Sequence, residues 1–293
     1  MRKLLILLFA CFLPIVTYTQ HFKELEDSLS DLSEVFISMP DPKIRHEAFR
    51  SFESMMKSIL NNNRSFEYPF DSLRSISILY PPDSSFRIFT TQIQIDRDQY
   101  RYFGALQWKD DNKRAVFFKD QSEKIQNPNS IILDPQNWYG ALYYNLIPFG
   151  SEIEEKYLLF GYDSYSQLHN RKLIEILCIR NDSLSFGAPV FKWDNRLLTR
   201  FVLQYSSDVK VHLNFDSNHD MIIFDNLIPL MGSYPGQGII MVPDGSYRGF
   251  KQENETWVEV DKIFFEILDE PPREFPILDE GSERDLFGRL RKG

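Results

Sequence analysis

Cysteine is nearly absent: Cys11 and Cys178 are the two in 293 residues. Cys11 lies in an apolar N-terminal run, so a disulfide-stapled scaffold is excluded and the fold must rest on its own core. Cys178 sits in the apolar run Leu173-Ile174-Glu175-Ile176-Leu177-Cys178-Ile179 and reads as a structural thiol. Histidine is scarce too, with five in the chain. There is no Gly-x-Ser-x-Gly elbow, no Gly-x-x-x-x-Gly-Lys loop and no Gly-x-Gly-x-x-Gly turn, which removes the motif evidence for a serine hydrolase of that type, a P-loop enzyme or a dinucleotide site. Gly236-Gln237-Gly238 leads into Ile239-Ile240-Met241-Val242, a strand pattern, and so offers an anion no helix N-terminus. A long basic stripe is also missing. With 33 basic against 42 acidic residues and a net charge of −9, the chain is a poor partner for nucleic acid or an anionic membrane surface.

What is present is apolar and aromatic. Hydrophobic residues make up 43%, with 25 Phe and 14 Tyr, which excludes wholesale disorder and implies a large core. The first residues read as a targeting segment: Arg2 and Lys3, an apolar run from Leu4 to Val16, then Thr17-Tyr18-Thr19 and a polar chain from Gln20. The run is too short to span a bilayer, which takes roughly 20 residues. Residues 1–19 are therefore expected to be a signal peptide, with an uncleaved anchor as the alternative and a lipid anchor at Cys11 fitting less well. Its removal takes away Arg2 and Lys3 and no acid, leaving 31 basic against 42 acidic residues, a net charge of −11.

Phe22, Leu25, Leu29, Leu32 and Phe36 recur at gaps of three and four, with Glu24, Glu26, Asp27, Asp31 and Glu34 assigned to the solvent side. Asp41 and Pro42 suit the cap and first turn of a second helix, whose stripe is Ile44, Ala48, Phe52, Met55 and Ile59. Residues 20–62 are predicted to form a helical hairpin, with His46 on its polar side. From about Leu73 the period changes to two, as in Val209, Val211, Leu213 and Phe215. Strands are predicted at 73–80, 86–95, 100–108, 114–119, 138–144, 157–162, 172–180, 187–193, 199–206, 209–215, 221–225, 238–242, 247–251 and 256–260. Short polar spacers favour antiparallel pairing. The fold class is mainly β: an antiparallel β-meander over 70–268, closed as an irregular sandwich or twisted sheet, with a degenerate propeller as the alternative and the helical hairpin as a cap. Tyr102-Phe103-Gly104-Ala105-Leu106 and Trp138-Tyr139-Gly140-Ala141-Leu142 echo one another, as do the strands leading to Asp120, Asp163 and Asp225, and both echoes hint at duplication. Their irregular spacing does not support a regular propeller. Pro243-Asp244-Gly245-Ser246-Tyr247 predicts a tight turn, with Trp257 packed beneath it. Residues 269–293 read as an acidic, Pro-rich linker and a basic tail.

Chemistry-bearing candidates are few. Asp216-Ser217-Asn218-His219-Asp220 begins like a calcium loop, but Met221 and Leu227 stand where Gly and Glu belong. It reads as a polar hairpin tip, and His212 and His219 are not forced together, so no metal and no cofactor is assigned. Trp138, Tyr139, Tyr143 and Tyr144 lie on a segment with aromatics on both faces. They are the candidate binding residues for a glycan or a protein partner. Leu286 and Phe287, an apolar knot among Arg284, Arg289, Arg291 and Lys292, form a candidate docking peptide.

The leader ending in Thr19-Gln20, the Tyr139-Gly140-Ala141-Leu142-Tyr143 segment, Pro243-Asp244-Gly245-Ser246-Tyr247 and the Asp285-Leu286-Phe287-Gly288-Arg289 tail together resemble exported proteins of the Bacteroidota for which no activity is known. The resemblance implies an envelope location, periplasmic or outer-membrane-associated, and supplies no function. Asp27-Ser28-Leu29, Asp71-Ser72-Leu73 and Asp182-Ser183-Leu184 are similar to that group's O-glycosylation acceptor, with Ser183 the one expected in an exposed turn. The reading is an exported, non-enzymatic envelope protein that binds or scaffolds a protein partner. The alternative is a glycan-binding or glycan-hydrolysing protein using a carboxylate pair not located by sequence.

Overall fold

The structure, a computed structural model, describes residues 2–150, 155–232 and 237–263, with the side chains of 2–19 and 262 outside the description. Helix α1 spans Arg2–Ser38 and helix α2 Pro42–Leu60. The predicted leader is thus continuous with the first helix of the hairpin. No helix among the described residues is long and apolar enough to cross a membrane. The Asp41 carboxylate accepts from the Lys43 N–H at 2.8 Å, capping α2 as its sequence predicts. Phe22, Leu29 and Phe36 of α1 meet Ala48, Phe49, Phe52, Met56 and Ile59 of α2 in the seam. Two assignments change. Ile44 is exposed, because the buried stripe is centred on Phe49 and Phe52. Glu26 is buried, its carboxylate accepting from the Tyr68 hydroxyl at 2.6 Å and the Ser72 N–H at 2.7 Å.

The remaining described residues are mainly β, in three sheets whose strand pairings are antiparallel but for one. The first sheet runs β1 (Ser77–Leu79), β2 (Phe86–Asp96), β3 (Gln99–Trp108) and β4 (Val116–Lys119). The second holds β5 (Leu142–Pro148), β6 (Glu155–Asp163) and β7 (His169–Arg180), with β8 (Ser183–Phe186) and β11 (Arg200–Ser206) sharing the far edge of β7. The third is ordered β10 (Arg196–Leu198), β9 (Phe191–Trp193), β15 (Thr256–Ile263), β14 (Ile239–Glu253), β13 (Met221–Met231) and β12 (Leu213–Asp216). Its β9–β15 pair is the parallel exception.

Period-two alternation stacks these sheets. Phe89, Phe103 and Ala105 face the helical hairpin, whereas Phe86, Ile88, Tyr102 and Leu106 face the second sheet. In that sheet Leu159, Leu173 and Leu177 face back toward the first, and Leu158, Phe160, Ile174 and Ile176 face the third. Hairpin, first sheet, second sheet and third sheet therefore form four layers around three cores, and the second sheet is buried on both faces. No barrel or closed propeller forms among the described residues.

Several strand predictions shift: 73–80 narrows to Ser77–Leu79, 187–193 narrows to Phe191–Trp193, 221–225 extends to Met231, and β8 and β10 are strands that the pattern does not predict. Trp138–Ala141 is not strand, because Gly140 takes φ +78 and its Cα stands against Asp120 and Tyr102. The echoed Gly104 instead lies inside β3, its Cβ position filled by the Trp138 and Phe118 rings. The two echoes thus pack against one another in different conformations. Residues 209–212 precede β12 as a connection held by Asp225, whose carboxylate accepts the His212 N–H at 2.6 Å. Strands β8 and β10 follow the tight turns Asn181-Asp182 and Asp194-Asn195, all four residues having positive φ. Finally, 238–242 and 247–251 are one strand, β14. The Pro243–Tyr247 stretch is a bulge within it, where Asp244 to Ser246 stand opposite Asn226. Trp257 is buried against Phe149 and Phe215 rather than beneath that stretch.

Truncation at the hairpin seam and at its rim should separate. Phe52→Ala is expected to cost about 3–5 kcal/mol and Ile44→Ala under about 0.5, read from urea unfolding midpoints.

Candidate functional site

The four aromatic candidates lie inside the molecule or at its edge. Trp138, Tyr139 and Tyr143 are buried between the first and second sheets, and Tyr144 is half-buried with its hydroxyl donating to the Leu213 carbonyl at 2.6 Å. Burial removes the first three from any sugar-stacking or partner surface. Their polar ends serve the core. The Trp138 indole N–H donates to the Tyr143 hydroxyl at 2.7 Å, that hydroxyl donates to Glu175, and Glu175 takes both the Nε (2.7 Å) and an Nη of Arg200. Arg200 also donates to the carbonyls of Pro128 and Phe186, so one fully buried cation ties a loop and β8 to the second sheet. Leu286 and Phe287 lie outside the described residues.

A polar cleft opens where β3, the 120–124 turn, β6 and β7 meet. One pocket of about 250 Å³ is lined by Tyr100, Tyr102, Tyr139, Asp163, Tyr165 and Arg171, and a neighbouring one of about 550 Å³ by Glu53, Lys57, Arg101, Lys119, Asp120 and Glu123 among others. Asp163, at the end of β6, accepts from the Tyr102 hydroxyl (2.7 Å), the Tyr139 hydroxyl (3.1 Å) and the Tyr165 N–H (2.9 Å). Arg171 donates to the Tyr139 hydroxyl at 2.9 Å, binds Gln204 through Nε and Nη2, and stacks on the Tyr165 ring. Tyr165 holds φ +39, a strained conformation that places its ring over the guanidinium. Asp120 accepts from the N–H groups of Tyr102 and Ser122, both at 2.9 Å. Burial pushes both carboxyls above the ordinary aspartate range. Hydrogen-bond donors, joined at Asp163 by Arg171, oppose the shift only in part. Sequence ranked these aspartates only as the ends of echoed strands; the pairing through Tyr102 needs the fold.

The third feature is an apolar arm. β12 pairs with β13 only over Met221 to Phe224, and β15 pairs with β14 only from Tyr247 onward. The pairs Leu227–Pro243, Ile228–Val242, Pro229–Met241, Leu230–Ile240 and Met231–Ile239 therefore have no other strand beside them among the described residues. Met231 is 78% exposed, Ile239 67% and Leu230 49%. The arm leaves the sheet at the Asp244 bulge, where Gly245 takes φ +87 and Asp244 accepts from the Ser246 N–H (2.8 Å), the Ser246 hydroxyl (2.7 Å) and Asn226 (2.8 Å). The local turn chemistry was legible and marks the base of the arm. The arm itself had a signal that the alternation reading passed over: residues 226–243 contain no Asp, Glu, Lys or Arg. An apolar ribbon that exposes Leu230, Met231 and Ile239 while Ile240 is buried marks an interaction site.

His219 Nδ1 lies 2.9 Å from Asp216 within the predicted hairpin tip, and His212 is exposed. No three His, Cys, Asp or Glu side chains converge for a metal among the described residues. Ser183 is exposed at the start of β8, and Ser28 and Ser72 are exposed as well. No family model, no curated protein and no solved structure matches the chain.

Two outcomes test this geometry. Arg200→Met should cost about 3–5 kcal/mol in chemical denaturation by leaving Glu175 buried without its partner, whereas Arg200→Met with Glu175→Leu should recover most of that loss. Because the folded carboxyls of Asp120 and Asp163 titrate above the unfolded value of about 3.9, the folded state holds more protons in that window. Their contribution to stability should therefore fall as pH rises from about 4 through the folded midpoints. Carbon-detected NMR titration should place both midpoints above about 3.9, and Asp163→Asn should flatten this part of the stability–pH curve.

Proposed function

We propose that the chain is an exported, non-enzymatic protein of the cell envelope, periplasmic or outer-membrane-associated, that binds a protein partner through the β13–β14 arm. The observation that carries the reading is the exposure of Leu230, Met231 and Ile239 on a ribbon free of charge. Covering such side chains is worth on the order of 1.5–3 kcal/mol each when complete, so a folded protein that leaves them bare gains by docking them. A bilayer is the weaker host for this arm. Among the described residues no strand pairs with either ribbon edge, so both edges carry backbone groups that hydrocarbon cannot satisfy, and the acidic chain is repelled by anionic headgroups. The leader and the resemblance support the location. The tail with Leu286 and Phe287 is a second contact in this reading.

A glycan is the second reading, and one observation favours it: the cleft joins the exposed Tyr165 ring to Arg171 and Asp163. It rests on these residues and not on Trp138 or Tyr143.

Affinity capture from the native envelope should return a stoichiometric protein with the wild-type chain and lose it with Leu230→Asp/Met231→Asp, while thermal unfolding stays within a degree or two because the arm lies outside the three cores. Capture unaffected by the arm substitutions would refute the proposal. A thermal shift with oligosaccharides that disappears in Arg171→Ala would move the reading to the glycan.

A further inference from the structure

The arm has two faces, set by the period of two. Leu227, Pro229 and Met231 share one face with their cross-strand partners Pro243, Met241 and Ile239, while Ile228, Leu230, Ile240 and Val242 share the other. On the first face the tip and the base are unlike. The tip pair, Met231 and Ile239, is the most exposed apolar pair of the arm. At the base, Leu227 and Met241 open onto a pocket of about 270 Å³ whose further walls are Trp193, Val202, Leu203 and Phe224 together with the polar Gln204, Asp225, Asn226 and Arg248. Four residues of strand separate tip from base, about 13 Å. A protruding apolar pair and a hole of side-chain size, walled by aromatic and aliphatic groups on one part and polar groups on another, therefore lie on one face of one ribbon.

Such a face is complementary to itself when turned end for end. If two arms are laid face to face and antiparallel, the tip of each comes over the base of the other, and the contact closes after two copies by a two-fold axis. No charge lies on the stretch 226–243 to oppose like meeting like, and the two charged groups at the base pocket, Asp225 and Arg248, are of opposite sign. The edges are also prepared for a face-to-face rather than an edge-to-edge contact. The Gly232 N–H donates to the Gly238 carbonyl at 2.8 Å. The neighbouring pairs Met231–Ile239, Pro229–Met241 and Leu227–Pro243 then alternate into positions whose backbone groups point away from the ribbon. Pro229 and Pro243 thus remove one outward donor from each free edge, which blunts pairing with a further strand.

We infer that the partner of the arm is a second copy of this chain, Met231 and Ile239 of each copy entering the base pocket of the other. The inference rests on the protein-binding reading of the arm and names its partner. Two ribbons of five residue pairs cover less than the roughly 1,600 Å² of a standard interface, so the dimer is reversible and its population follows concentration.

Sedimentation velocity of the purified full-length chain across a concentration series should show a monomer–dimer equilibrium. Met231→Asp, which alters the knob, and Leu203→Trp, which fills the hole, should each raise the dissociation constant at least tenfold, the first without changing the thermal midpoint because Met231 lies outside the cores whereas Leu203 packs against one. As a positional check, Met231→Cys protein mixed with Leu203→Cys protein should form an intermolecular disulfide under mild oxidation that neither forms when mixed with wild type. A monomer at every concentration, or a dimer indifferent to both substitutions, overturns the inference. If, in that case, envelope capture still depends on the arm, the protein-binding reading stands and the partner is a different protein.

Discussion

The second sheet is the constraint on which the rest of the structure depends, because it is covered on both faces. β6 and β7 send Leu159, Leu173 and Leu177 one way and Leu158, Phe160, Ile174 and Ile176 the other, all fully buried. A sheet in that position has no wet face on which to place a charge, yet β7 carries Glu175 and β11 carries Arg200. The two neutralise each other at the centre of the molecule, and the hydroxyl of Tyr143 fills another acceptor site on the carboxylate. The pair adds little net stability over an apolar filling of the same shape. What it adds is position: Arg200 holds the carbonyls of Pro128 and Phe186, and Tyr143 holds Trp138, which lies over Gly104 of the first sheet.

A second buried cation repeats this logic without an acid. Arg87 on β2 faces the hairpin, donating to Gln107, to the Tyr80 hydroxyl and to the carbonyls of Tyr68 and Ser65, between the rings of Phe66, Phe70 and Phe89. Burial holds its pKa below the usual arginine value. These four hydrogen bonds and the aromatic faces keep the charge tolerable. Glu26 is the counterpart on α1, held by Tyr68 and Ser72. Two of the three interfaces between layers therefore hold buried charged groups, Arg87 and Glu26 under the hairpin and Arg200 with Glu175 between the first and second sheets.

That pattern explains what the sequence reveals and what it hides. The helices are legible because Phe22, Leu29 and Phe36, and then Ala48, Phe52 and Ile59, recur at helical spacing and because Asp41-Pro42 suits a helix start; the place of Phe49 in the buried face emerges only from the structure. The central strands are legible because they are continuous apolar runs, and the two-sided burial of β6 and β7 is what such runs require. Glu26, Arg87, Glu175 and Arg200 are invisible as core residues, since a lone charge in a sequence looks solvated until its partners are brought from other segments, 25 residues away for Glu175 and Arg200 and 7 to 22 for Arg87. Trp138 and Tyr143 mislead for the same reason: an aromatic strand with polar ends looks like a surface until Glu175 is found at the other side. The bulge at Asp244 misleads in a different way, because Asp-Gly chemistry bends a chain equally well at a hairpin tip and in mid-strand. The cleft was the least legible part, since Asp163, Tyr139 and Arg171 belong to three different segments.

The layers follow the chain almost in order. Residues up to Leu60 make the hairpin, 77–119 the first sheet, and 142–186 most of the second; from Phe191 on, only β11 returns from the third sheet to the second. A chain delivered from its N-terminus can therefore add each slab onto the exposed face of the one before, with β11 acting as the late clasp that carries Arg200 to the already placed Glu175. Assembly of this kind is vectorial, and the last slab to arrive is the one that carries the arm.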